Sequence, residues 1–317
     1  MTQISGVNER FLNTPVVLSE IMRVLDPDLA FDGIIPYVDS GGDPVIYLQK
    51  GNKSADAKKQ TPRLMTPSSK FPEVEITRMT KKSAILNEEG LAIRLDKDAI
   101  QKRAGVDMIM DAFQTVGYWM AEYVNGKIYT ALRAGGTASG VTPAAVWSSN
   151  SAQPMEDARK IKNSMKREGY VYRATDLFVE MDNFHEMEGF LMSSDIPAYR
   201  DAGLAIGQGD AIALPMGGKP VLNGLFSSIT HGDYIALDRN HPGSSLYYYN
   251  DPQFSVPSIT YETAGANGVM TAKTIKNFGL STHRYFEDDS HDTVIQIWMD
   301  YTIAVRDAYS IIYGNGL

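Results

Sequence analysis

The chain has 317 residues and no cysteine. That absence excludes disulfides, thiolate metal sites and nucleophilic-cysteine chemistry. No run of about eighteen apolar residues occurs, so no transmembrane helix is expected. The opening residues MTQISGVNER lack the basic-then-apolar order of a signal peptide. There is no Gly-x-Ser-x-Gly nucleophile elbow. Gly203, Gly207 and Gly209 fit neither a dinucleotide fingerprint nor a P-loop, and no Gly-Lys-Ser/Thr follows them. Positive charge is also short, with 30 Lys and Arg against 38 Asp and Glu, a net charge of −8. Proteins that grip DNA through its phosphates are usually basic. This composition suits a protein that tolerates nearby DNA without reading its sequence.

What is present is unevenly placed. Between residues 50 and 82 stand nine basic residues, Lys50, Lys53, Lys58, Lys59, Arg63, Lys70, Arg78, Lys81 and Lys82, with only Asp56, Glu73 and Glu75 against them. The rest of the chain then carries 21 basic and 35 acidic residues. A solvated loop or a nucleic-acid patch is the plain reading of such a segment, but it has few aromatics to stack on bases. Its complement is an acidic surface, and the remainder of the chain is one. The nine residues are therefore expected to contact other copies of the chain.

The longest regular feature runs from Asp98 to about Ala134. Ile109, Phe113, Val116, Met120, Val124, Ile128 and Ala131 recur in steps of three and four, one stripe on one side of a helix. Asp98 can cap its start and Gly135-Gly136 end it, giving a rod of roughly 50 Å. Residues 1–43 hold a short helical pattern (Val16, Val17, Ile21, Val24, Leu25) among prolines and glycines, and read as an arm needing something to lie against. Residues 44–50 form a strand. A polar stretch of about twenty residues follows, of the length usually found only in functional loops. Val74 and Ile76, then Leu91, Ile93 and Leu95, alternate with charged residues, and Asn87-Glu88-Glu89-Gly90 offers a turn. Together these suggest a two-stranded protrusion with a Lys-rich tip. An isolated hairpin is marginal in water, so it would pack on a neighbour.

Beyond a Gly/Ser/Thr-rich link, Pro154–Arg167 reads as an amphipathic helix, with Met155, Ala158, Ile161 and Met165 on one side. Leu177–Met181 reads as a strand, and Asp182 as the cap of a short helix. Tyr234–Leu237 and Leu246–Tyr249 are short strands. The end is a long strand in which Ile295, Ile297, Met299, Tyr301, Ile303 and Val305 alternate with Gln296, Asp300, Thr302 and Arg306. A long strand beside a long helix makes a two-layer α+β body.

Chemistry-bearing clusters are weak. His283, Glu287, Asp288, Asp289, His291 and Asp292 fit no metal-ligand spacing and read as a polar turn. His185 and Glu188 make half a site. His231, Asp233 and His241 have no nucleophile motif beside them. No catalytic, cofactor-binding or metal-binding residue is predicted. A metal-dependent hydrolase using His283, His291 and Asp289 is the alternative from another class.

In chain order the layout resembles the major capsid protein of tailed double-stranded-DNA bacteriophages and viruses, the Hong Kong 97-type fold. FPEVEITRMTKKSAILNEEGLAIRLDKDAI resembles that family's E-loop returning into its spine helix, and GYWMAEYVNGKIYTAL the second half of that helix. DLFVEMDNFHEM resembles the step into the axial domain, and DTVIQIWMDYTIAVRDAYSII the last peripheral strands. The resemblance implies an N-terminal arm at 1–44, an E-loop at 45–96, a peripheral domain with the spine helix at 97–175, an axial domain at 176–280, and peripheral C-terminal strands at 281–317. It implies self-assembly through pentamers and hexamers into an icosahedral shell around viral DNA, in a virion put together in the host cytoplasm. Scaffolding, portal and decoration proteins would be partners, and no membrane would be involved. Some members join an E-loop lysine to a neighbour's asparagine. Lys70, Lys81 or Lys82 stand in position, but neither the asparagine nor the assisting glutamate is matched, so no crosslink is predicted. If Met1 is the native start, scaffolding is expected to come from a separate protein or to be absent. An encapsulin-type nanocompartment is the runner-up, disfavoured because encapsulins begin with a short cargo-docking helix rather than an open arm.

Overall fold

The computed structural model describes residues 13–50, 79–95, 105–143, 145–149, 151–167, 172–204, 211–225, 229–264, 270–287 and 292–317. Helix α1, Thr14–Asp28, starts with proline in its first turn, where a missing N–H costs nothing. Val17, Leu18, Ile21, Met22 and Leu25 are all but fully buried. They form one helical stripe that packs on the long helix and on strands near the C-terminus. Residues 14–28 are therefore not an open arm. The arm's apolar stripe is satisfied by its own chain, and residues 1–12 lie outside the described residues.

Strand β1 is Tyr37–Asp39. Strands β2, Val45–Gln49, and β3, Thr80–Ala84, pair antiparallel from Val45↔Ala84 to Gln49↔Thr80. They are the stem of a hairpin whose farther part, with Val74 and Ile76, lies outside the described residues. Strand β4, Asn87–Leu95, overturns the expected turn at 87–90. The break between β3 and β4 falls at Ile85-Leu86, and all nine residues of β4 pair with the last long strand. Gly90 serves close approach rather than a turn: a Cβ there would lie 2.2 Å from the Ile297 carbonyl oxygen.

Helix α2, Gly105–Gly135, has 31 residues and is about 46 Å long. The expected cap Asp98 lies outside the described residues. Ile109, Phe113, Val116, Met120, Val124 and Ile128 are buried as their spacing demands, and Leu132, not Ala131, completes the stripe. At Gly117 a Cβ would come within 2.8 Å of the Ile21 carbonyl oxygen, so glycine lets α1 cross α2 closely.

Next come β5, Thr137–Ala138, and α3, Pro154–Arg167, which buries Met155, Ala158, Ile161 and Met165. Strand β6, Asp176–Glu180, leads into α4, Met181–Met192. Its cap is Glu180, whose side chain accepts from the Asp182 N–H, and not Asp182. Helix α5 is Pro197–Leu204. Strands β7 (Ala211–Ala213), β8 (Val221–Leu225), β9 (Tyr234–Leu237) and β10 (Ser244–Tyr249) follow. After them come β11 (Ser258–Ala264), β12 (Met270–Lys276), β13 (Leu280–Glu287), β14 (Asp292–Val305) and β15 (Ile311–Gly314).

One sheet runs β1-β10-β14-β13, with β4 along the other side of β14; a second runs β5-β15-β9-β6-β8-β7. The chain boundaries of the two layers differ from the sequence expectation. Strand β10, inside the expected 176–280 lobe, pairs with β14, and β15, outside it, pairs with β9. The β11–β12 hairpin is also tied to the first layer, because the buried Asp26 accepts from Tyr261 at 2.5 Å and from Lys273. One core lies between α1, α2 and the first sheet, and the other between α3, α4 and the second. Phe31 stacks on Phe178 with ring centroids 4.4 Å apart, so the inner strand β6 is buried on both faces. Strand β14 shows period two from Ile295 to Tyr301, and then Thr302 and Ala304 are buried as well.

Candidate assembly surface

Of the nine basic residues, Lys53, Lys58, Lys59, Arg63, Lys70 and Arg78 lie outside the described residues. Lys81 and Lys82 are exposed on β3. Lys50 is engaged within its own chain: its Nζ donates to Tyr172 Oη at 2.6 Å and to Asp307 Oδ2 at 3.0 Å. Burial alone would lower the Lys50 pKa, but these partners raise it above the ordinary lysine value. The Lys50 N–H also donates to the Arg306 carbonyl at 2.7 Å. The root of the β2–β3 stem is thus fastened to the turn after β14.

At the other side of the root, β4 is fastened to helix α2. Glu89 accepts from Tyr301 Oη at 2.6 Å and from Lys127 Nζ at 3.0 Å. Burial alone would raise its pKa, but those two donors hold the carboxyl below the ordinary glutamate range. Burial, then the Glu89 carboxylate, pushes the Tyr301 hydroxyl up. On the opposite face of the sheet, Asp300 stands across from Glu88. Its pKa is pushed up to about 6, first by burial and then by the Glu88 charge.

Beside the Glu89 junction lies a groove of about 530 Å³, walled by Leu91, Trp119, Tyr123, Met120 and Met299. Trp119 and Tyr123 are about half exposed, although the spacing of α2 places them next to its buried stripe. The hairpin stem shows the same property. Ile46, Leu48, Met79 and Ile85 are each between 54% and 68% exposed. Apolar patches of this kind on one chain mark surfaces meant for covering. The sequence reading assigned contacts to lysines and passed over these side chains. The cue was available in Tyr118-Trp119 and Tyr123, large side chains off the predicted stripe.

The histidine candidates are placed in other roles. His283 lies on β13 between Phe254 and Tyr285, with ring centroids 5.2 and 5.9 Å away; Asp289 and His291 lie outside the described residues. His185 contacts Glu188 at 3.2 Å, and His241 contacts Asp238 at 3.3 Å. Ligand atoms of Glu180, Asp182 and His231 lie within 4.8 Å of one another. There the Glu180 carboxylate is occupied in capping α4 and in meeting His231 at 3.3 Å.

A sequence model described as phage capsid protein matches residues 80–314. No curated protein matches the sequence. Among solved structures, the virus-like particle from Pyrococcus furiosus aligns with a TM-score of 0.58 at 8% identity, over 94% of this chain and 97% of that one. The capsid of a native GTA particle gives 0.56 at 10% identity, over 90% and 89%. Mycobacterium phage Che8 gives 0.53 at 12% identity, over 90% and 89%. Identities this low speak for the fold, and the family model speaks for the sequence. The chain belongs to the phage capsid protein family, with the α+β Hong Kong 97-type fold and a structural role in a self-assembling shell.

Proposed function

We propose that this protein assembles through pentamers and hexamers into an icosahedral shell that encloses double-stranded viral DNA. The observation that carries the reading is the E-loop root. A two-stranded stem with an exposed apolar face is rooted through Lys50 beside the turn after β14, and the strand that follows it is fastened through Glu89 to a spine helix with its own exposed aromatic groove. Such a subunit is incomplete alone. The acidic balance of the chain keeps enclosed DNA from adhering to the wall. The layer with α1, α2, β4 and β14 serves as the peripheral domain, and the layer with α3, α4, β6 and β9 as the axial one. The basic residues of the E-loop, Lys81 and Lys82 among them, face acidic surface on neighbouring copies. Lys50 is withdrawn from that set because it serves the root. Assembly takes place in the host cytoplasm with scaffolding, portal and decoration proteins.

A nanocompartment shell is the second reading. The similarity to the Pyrococcus furiosus virus-like particle favours it, and the docked helix α1 removes the reason given against it. Negative-stain microscopy and analytical ultracentrifugation of the purified protein should show capsomers or megadalton particles. A stable monomer at high concentration would overturn both readings. Particles recovered from infected or induced cells should contain nuclease-protected double-stranded DNA; particles filled with one protein instead would favour the compartment.

A further inference from the structure

We infer that the face of the first sheet turned away from α1 and α2 is a binding track for a glycan chain that carries no acidic groups, a property that does not depend on the shell reading.

Side chains alternate between the two faces of a sheet. Leu91, Ile93, Ile297 and Met299 take the face toward α2, and Gly90, Ala92, Gln296, Trp298 and Asp300 take the outer one. On that outer face β10 and β13 lie end to end along one side of β14. Tyr247 and Tyr249 stand beside Thr302 and Asp300, and Ser281, His283 and Tyr285 beside Trp298, Gln296 and Val294. Ser281 leaves a gap in the row of rings. Phe254 fills it, with its centroid 5.2 Å from that of His283 and 5.5 Å from that of Trp298. His283 in turn stacks on Tyr285 at 5.9 Å. The row from Tyr247 to Tyr285 is about 27 Å long, from the strand rise along β14 between Thr302 and Val294. His283 and Tyr285 are exposed, and Tyr247, Tyr249, Phe254 and Trp298 are partly exposed. On the other side of β14, Gly90 and Ala92 stand next to Trp298 and Gln296, so a low shelf runs beside the rings.

A track of rings on an open sheet suits the bases of a single nucleic-acid strand or the rings of a sugar chain. Charge decides between them. Among the described residues, Arg94 is the one Lys or Arg on this face of the paired strands, and it pairs with Asp292 at 3.4 Å. At the other end Glu88 and Asp251 lie near Asp300, and burial followed by these two charges makes Asp300 hold its proton more tightly. A phosphate backbone needs cations and meets carboxylates here. A sugar ring instead offers weakly positive C–H groups to the negative face of an aromatic ring. Its hydroxyls donate to carboxylate and side-chain amide oxygens, which Glu88, Asp300 and Gln296 supply along the shelf. A glycan with its own carboxylates, sulfates or phosphates is rejected by the same acidic residues. The length of the row suits a chain of several sugars over a single one.

The test uses the purified full-length chain. The neutral probes are cellohexaose, maltohexaose and N-acetylchitohexaose, and the anionic ones are dextran sulfate and oligothymidylate. Saturation-transfer NMR and tryptophan-fluorescence titration should show at least one neutral chain binding, and neither anionic probe. The double variant His283→Ala/Tyr285→Ala removes two stacking surfaces and should weaken that binding about tenfold or more. Its melting profile should match the parent's, because both side chains are exposed. Gln296→Ala should weaken binding about threefold through the lost hydrogen bond. Tyr118→Ala, which removes an exposed ring on α2, should leave it unchanged. The inference is overturned if no neutral chain binds the parent, if oligothymidylate binds in their place, or if the double variant binds as tightly as the parent. Particle formation by the wild-type chain is scored separately and bears only on the shell reading.

Discussion

The junction that sets β4 against the spine helix gives the sharpest test of the energetics. Glu89 takes two hydrogen bonds of unlike worth. Tyr301 is buried, and its hydroxyl donates to Glu89 at 2.6 Å. Lys127 reaches the same carboxylate at 3.0 Å but is half exposed. In Glu89→Ala the tyrosine hydroxyl is left in the interior without its acceptor, a penalty of about 1–3 kcal/mol. The lost ion pair adds only about 0–1 kcal/mol, because water screens it. The sum is about 2 kcal/mol. Lys127→Ala should cost about 0.5 kcal/mol. Glu89→Gln keeps an acceptor for Tyr301, so its cost should stay below about 1 kcal/mol. The carboxyl's pKa is lowered in the folded state. Its charged form therefore stabilises the fold above the ordinary glutamate pKa of about 4.3, and the contribution is lost as pH falls through the lower folded value. Glu89→Gln should remove that acid-side dependence. The assay is urea unfolding of the unassembled chain at pH 7 and pH 3, comparing midpoints at constant slope. If Lys127→Ala costs as much as Glu89→Ala, the ion pair and not the buried hydroxyl governs the junction, and the reasoning fails.

Three further outcomes follow from particular atoms. Gly90→Ala would place a Cβ 2.2 Å from the Ile297 carbonyl oxygen and 2.5 Å from Trp298 Cβ; with backbone on the far side, a loss of about 3 kcal/mol or more is expected, read as a lower urea midpoint or loss of soluble protein. In Gly117→Ala, about 1 kcal/mol of helix propensity is gained, but the new methyl meets the Ile21 carbonyl at 2.8 Å and overpacking costs about 1–3 kcal/mol. The net loss should be about 1 kcal/mol, with faster proteolysis within residues 14–28, and a raised midpoint would show that α1 shifts freely. Asp300 holds its proton more tightly when folded, with a pKa of about 6 against 3.8, so stability falls as pH rises from about 4 through 6. The full shift corresponds to about 3 kcal/mol, which partial exposure and solvent screening reduce to about 1 kcal/mol; Asp300→Asn should therefore melt higher at pH 7 and match the parent below pH 4.

Much of the scaffold was legible in the sequence. The stripes of α2 and α3 and the alternation of β14 reflect local periodicity backed by long burial, and they appear where the spacing puts them. The features that were missed depend on partners far along the chain. Asn87-Glu88-Glu89-Gly90 has turn composition, yet β14 supplies nine pairing partners and converts it into strand. Asp182 has the composition of a cap, but Glu180 reaches the Asp182 N–H first, because β6 delivers it in extended conformation one residue before the helix. Residues 311–314, strand β15, were grouped with β14 among the peripheral C-terminal strands. The 3₁₀ turn at Ala308–Ser310, capped by Asp307, redirects it into the other sheet. For the assembly surface, charge was legible and exposure was not. Spacing separates Met120, on the stripe, from Trp119, off it; that β4 passes beside α2 and makes a groove of the exposed flank is set by long-range pairing that spacing does not carry.

The two kinds of surface on this chain do different physical work. Exposed lysines such as Lys81 and Lys82 act over about 10 Å at ordinary ionic strength. They raise encounter rates with an acidic body more than they add affinity. The apolar stem face and the aromatic groove act only at contact, and desolvated aromatic anchors carry most of the energy in interfaces of this kind. Lys81 and Lys82 share the stem with the apolar side chains, so the long-range and the short-range element sit on one strand pair. The Lys50 anchor fixes the root of the stem before any neighbour arrives, which lowers the ordering cost that association would otherwise carry. In this arrangement the long helix serves as a common beam: Lys127 fixes strand β4 from one turn, and Trp119 and Tyr123 line the exposed groove from the turns before it.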